Sequence, residues 1–171
     1  AADVNKLRKM TGAGMMDCKK ALVETDGDFD AAVDVLRKKG QKVAAKRGDN
    51  ETKEGLIFAE TSEDGKSGIV FALSCETDFV AKNADFNAFV RTLVDVAMKN
   101  MPASKEELLA LKYDDKLTVE EKITEQVGVI GEKLVISGYE VINADQVVGY
   151  NHPGNQLASL VGLNKGSESA V

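Results

Sequence analysis

The chain has 171 residues, 43% of them hydrophobic and 29% charged, which excludes a disordered polymer and fits one core or a small domain beside a medium one. Aromatics make up only 5% and Trp is absent, so the interior must be mainly aliphatic. A net charge of -6 argues against nucleic-acid binding, because phosphate affinity comes from clustered Lys and Arg.

In chain order, Val4, Leu7 and Met10 space as one face of a first helix, broken by Thr11-Gly12-Ala13-Gly14. Met15, Cys18, Leu22 and Val23 form the apolar stripe of a second helix. Asp28 is an N-cap for a third, filled by Ala32, Val33, Val35 and Leu36. Arg37, Lys38 and Lys39 are expected in its last turn, with Gly40 as the left-handed C-cap. Residues 41–54 read as a polar linker, helical at its start. Lys42, Lys46 and Arg47 extend the basic cluster, but no aromatic is interleaved for base stacking, so a solvated basic face is expected and no direct nucleic-acid contact.

After Gly55 the period changes. Leu56-Ile57-Phe58-Ala59, the turn Glu63-Asp64-Gly65-Lys66 and the alternation from Gly68 to Cys75 predict a hairpin with Ile69, Phe71, Leu73 and Cys75 on one face. Phe86, Phe89, Val90, Leu93, Val94 and Ala97 predict a long amphipathic helix, followed by a short charged one over 105–111. Thr118 and Glu121 form a capping box before a helix burying Ile123, Val127, Ile130 and Leu134. Two strands, 133–142 and 146–152, are joined by Asn143-Ala144-Asp145, and 157–163 is a third. The class is α+β with an antiparallel sheet packed with helices.

Catalytic constellations are weak. His152 is the one histidine, beside Pro153-Gly154, and a structural hydrogen bond suits it better than a base role. The chain contains no phosphate-cradling P-loop and no nucleophile elbow. Cys18 and Cys75 form no C-x-x-C pair and read as reduced thiols. No catalytic residue, cofactor or metal is expected. The opening residues are charged and no uncharged apolar run nears the ~20 residues of a membrane span, so a cytoplasmic location without a membrane partner is expected.

The unusual segment is Thr77-Asp78-Phe79-Val80-Ala81-Lys82-Asn83, where a strand ends and a helix begins. Thr77 or Asp78 could cap that helix with Phe79 in the core. Equally, an acidic residue beside a large aromatic at such a junction is docking hardware.

Leu7-Arg8-Lys9-Met10-Thr11-Gly12-Ala13-Gly14-Met15-Met16-Asp17-Cys18-Lys19-Lys20-Ala21-Leu22 resembles the N-terminal signature of the elongation factor Ts family, and Thr77 to Asn83 resembles its second signature. Gly131-Glu132-Lys133 and Tyr150-Asn151-His152 look like its later core strands. The resemblance implies a ubiquitin-associated-like three-helix domain over 1–40, a linker over 41–54 and an α+β core over 55–171. It implies a guanine-nucleotide exchange factor, not an enzyme, whose partner is elongation factor Tu. On that reading Thr77, Asp78, Phe79 and Val80 dislodge the partner's magnesium, while Ala81, Lys82, Asn83, Met15 and Met16 are further contacts. The polar stretch 48–53 and Pro153 depart from the pattern. Longer members carry a second core half, so a short form or fragment is expected, with a homodimer through the α+β core in prospect. The rival readings are a ubiquitin-associated-like adaptor joined to a structural α+β module, and an enzyme using Asp78 as acid or base.

Overall fold

Caps and glycines set the first three helices of the structure, a computed structural model that describes residues 1–166. Helix α1 (Ala2–Thr11) ends where Gly12 takes a left-handed φ of 71° and its N–H bonds back to Arg8. Helix α2 (Met15–Glu24) follows, and α3 (Phe29–Lys46) starts at Asp28, whose carboxylate accepts from the Ala31 N–H at 3.0 Å. Leu7, Ala13, Cys18, Ala21, Leu22 and Ala32 form their shared core, flanked by Val4, Phe29 and Leu36.

Two sequence expectations fail here for one reason each. Gly40 does not cap α3; it lies buried within a helix that continues to Lys46. A Cβ on Gly40 would sit 2.8 Å from the Thr124 carbonyl, and one on Gly128 would sit 2.6 Å from the Gly40 Cα. Glycine is required for backbone approach to α7 (Val119–Ile130) rather than for a turn. Met10 and Val23, read as core-facing, are 57% and 71% exposed. Thr11 takes the inward place beside Met10, donating its hydroxyl to the Leu7 carbonyl at 2.9 Å, and Leu22 takes the one beside Val23.

The chain forms two compact units. The first contains residues 1–50 with 121–134 and is the helical one just described. Within it Ile123, Val127 and Leu134 are buried and Ile130 is half-buried. Gly131-Glu132-Lys133, compared above with strand sequence, instead connects α7 to the next strand, and the Lys133 ammonium donates to the Gly48 and Asn50 carbonyls.

The second unit, 51–120 with the residues from 135 onward, is built on a hairpin. Strands β1 (Glu54–Thr61) and β2 (Ser67–Cys75) pair antiparallel with Phe58 opposite Phe71. As the alternation predicts, Ile69, Phe71, Leu73 and Cys75 are wholly buried. Helix α5 (Ala84–Asn100) packs on this hairpin with all six expected apolar residues buried, and its Arg91 guanidinium lies 3.8 Å from the Phe58 ring centroid. Helix α6 (Lys105–Ala110) is capped by the Ser104 hydroxyl.

Strands β3 (Val135–Asn143) and β4 (Gln146–Asn151) flank the expected turn but do not pair with each other. β3 joins β2 as the third strand of the first sheet, and β4 pairs with β5 (Ala158–Leu163) in a second. The amides of Ala144 and Val147 bond to the Lys66 and Gly65 carbonyls, so the turn is anchored on the β1–β2 turn rather than closed on itself. Gly68 faces Val147 and Leu160, which places the two-stranded sheet over the face of β1–β2 opposite α5. The outer edge of β1 is clasped: the Asn151 side chain bonds both the N–H and the carbonyl of Ala59 at 2.8 Å, and the Ile57 N–H bonds the Asn155 carbonyl at 2.7 Å. Among the described residues no helix is long and apolar enough to cross a membrane.

Candidate functional site

The segment singled out by sequence leaves the end of β2 through two consecutive helix caps. Cys75 closes the strand, its thiol 3.3 Å from the Thr77 carbonyl. Thr77 is extended (φ -126°, ψ 153°) and its hydroxyl accepts from the Val80 N–H at 3.5 Å, starting the single-turn helix α4 (Asp78–Ala81). Two residues after α4 ends, Asn83 caps α5, its side-chain carbonyl accepting from Asp85 and Phe86 N–H groups at 2.8 and 3.3 Å. A four-residue helix cannot hold itself by propagation, so these caps and the burial of Ala81 hold it.

This turn puts Phe79 outward. It is 84% exposed, the most exposed large apolar side chain among the described residues. Leaving a Phe in water forgoes roughly 1.5–3 kcal/mol of burial. The alternative in which Phe79 belongs to the core is therefore removed, while Thr77, rather than Asp78, is the cap. Val80 is half-buried.

Asp78 and Lys82 form an i,i+4 pair at 2.7 Å across α4. The Lys82 hydrogen bond, reinforced by its charge, holds the Asp78 carboxyl below its ordinary value of 3.8. In return the Asp78 hydrogen bond raises the Lys82 ammonium above 10.5. Both groups are open to solvent, so the pair sets orientation more than stability. The site thus offers an apolar knob on a capped turn, with a carboxylate whose neutralising cation a partner group could exchange.

Met15 and Met16 belong to the other unit, in the first turn of α2, at 53% and 62% exposure. Sequence reasoning missed Met10 and Val23 as exposed neighbours on the same three helices. The signal available was the helical wheel itself: Thr11, one position after Met10, and Leu22, one before Val23, compete for the inward direction. His152 accepts or donates a hydrogen bond with the Tyr150 hydroxyl at 2.9 Å, the structural use expected of it.

Comparison of the sequence with known proteins points to one family. A family model described as Elongation factor TS matches residues 76–171, beginning one residue before the Thr77 cap. The chain is 52% identical to elongation factor Ts of Christiangramia forsetii, covering 99% of this chain and 61% of that protein. It is 50% identical to elongation factor Ts of Amoebophilus asiaticus, over 100% of this chain and 62% of that protein. To that of Chloroherpeton thalassium it is 47% identical, over 100% and 61%. The chain thus spans about three fifths of the length of the curated relatives it matches. With the family model covering more than half of its residues and these relatives about half identical across nearly all of it, this chain belongs to the elongation factor Ts family.

Proposed function

We propose that the chain serves in translation elongation as a guanine-nucleotide exchange factor for elongation factor Tu. The observation that carries this is the exposure of Phe79 on a turn fixed by Thr77 and Asn83. In the proposed mechanism Phe79 inserts beside the partner's nucleotide site, with Thr77, Asp78 and Val80 against the same surface. The insertion displaces the magnesium ion that neutralises the β-phosphate of GDP, and the nucleotide leaves. Ala81, Lys82 and Asn83 support this contact, and Met15 and Met16, adaptable thioethers already in water, dock on the GTPase domain. The factor accelerates release only as far as it binds the nucleotide-free partner better than the GDP-bound one.

The test is release of labelled GDP from elongation factor Tu in the presence of this chain and of its Phe79→Ala variant. Stimulation by the parent chain and a loss of roughly tenfold or more in the variant, about 1.4 kcal/mol of transition-state stabilisation, is expected. Full stimulation by a folded Phe79→Ala protein removes the wedge.

The division expected from sequence is proposed on the same footing, with residues 1–40 as a docking domain and 41–54 as linker. Limited proteolysis between Gln41 and Glu54 that releases a folded 1–40 supports it. Loss of helix in that fragment once residues 121–134 are detached removes it. A cytoplasmic location and a homodimer through the α+β core belong to the same proposal, and light scattering tests the latter.

A further inference from the structure

The whole chain is acidic, yet residues 1–50 carry eleven Lys and Arg against eight Asp and Glu. Part of that excess surrounds a groove of about 400 Å³ between α2 and α3. On α2, Asp17, Ala21 and Glu24 recur at i, i+4 and i+7; on α3, Val35, Lys38 or Lys39, and Lys42 do the same, so two helix faces form the walls. The floor is apolar, from Ala21, Val35 and Leu36. Asp17 is already engaged by Lys39 at 2.6 Å. Lys20, Lys38 and Lys42 are exposed on the rim, and no ion pair among the described residues neutralises them. Met15 and Met16 do not line it.

An apolar floor between uncompensated ammonium groups fits a helix with an apolar stripe and acidic flanks, the helix-in-groove mode of recognition. A nucleic acid fits less well, because no aromatic lines the groove for base stacking. We propose that the α2–α3 groove is a second docking surface, separate from the exposed methionines, for an acidic amphipathic helix of a protein partner.

The probe is a fluorescein-labelled synthetic helix with leucine on one stripe and glutamate on both sides, titrated against the full chain by anisotropy. Saturable binding is expected. The double variant Lys38→Glu, Lys42→Glu should weaken it by about tenfold or more, and added salt should weaken it further. Replacing the probe's leucines with serine should abolish binding, while Met15→Ser, Met16→Ser should leave it unchanged. Both variants alter exposed side chains, and circular dichroism checks that each is folded. No binding, or binding indifferent to the lysine variant, overturns the proposal. So does capture of labelled poly-uridylate, but not the helix, by the same lysines. Self-association of the parent chain that the lysine variant abolishes also overturns it, making a second copy the occupant.

Discussion

Helices α4 and α5 are neighbours in sequence, each opened by a polar cap, and they treat phenylalanine in opposite ways. α5 turns Phe86 and Phe89 into the core against β1 and β2; α4 turns Phe79 into water. Burial holds the longer helix, whereas caps hold the shorter one and leave its aromatic unused by the fold. A residue that folding does not use is available for binding, and the contrast is what makes Phe79 the candidate contact.

The largest break in this comparison is Phe86→Ala, which should cost about 3–5 kcal/mol in chemical denaturation, because it opens a cavity under α5. In the helical unit, Gly128→Ala sets a methyl against the Gly40 backbone and should cost about 1–3 kcal/mol as a lowered melting temperature, or more if the helices cannot part. Asn83→Ala removes the cap between the two helices and should cost about 1 kcal/mol. It should also slow GDP release, since the turn carrying Phe79 loses its second anchor. Phe79→Ala should change stability by less than about 0.5 kcal/mol; a loss comparable to that of Phe86→Ala would erase the contrast.

The subtlest effect is on titration. Because the Asp78 carboxyl is depressed by Lys82, the pair's contribution is present at neutral pH and fades as pH falls through the lowered carboxylate value, below 3.8. At the alkaline end it fades as pH rises through the raised ammonium value, above 10.5. Nuclear magnetic resonance titration of Lys82→Ala should show the Asp78 carboxyl moving upward towards its ordinary value.

Much of the local structure is legible in sequence because its causes are local. Asp28 caps where it must, the alternation to Cys75 gives the buried face of β2, and six apolar spacings give the buried face of α5. What escapes is settled by residues far away. Gly40 looks like a helix stop until Gly128 is seen against it. Asn143-Ala144-Asp145 looks like a hairpin turn until the Ala144 amide is found on Lys66 and that of Val147, just beyond it, on Gly65. The site divides the same way: Thr77 is one of two cap candidates the sequence offers, but the choice between them, the cap at Asn83 and the outward direction of Phe79 come from the structure.

The asparagine clasp on β1 has a kinetic consequence. The window Leu56-Ile57-Phe58-Ala59 combines apolar and β-branched residues without charge or proline, the composition from which strand-to-strand aggregation grows. Asn151 imitates a peptide unit against Ala59, and the Asn155 backbone answers Ile57, so this window has no open valence while the 151–155 stretch stays in place. The Ile57 and Ala59 amide protons depend on that stretch alone, whereas those of Leu56 and Phe58 point into the ladder with β2. Hydrogen exchange at the first pair faster than at the second would measure how often the clasp lifts without the sheet unfolding, and that frequency, rather than global stability, would set the onset of self-association.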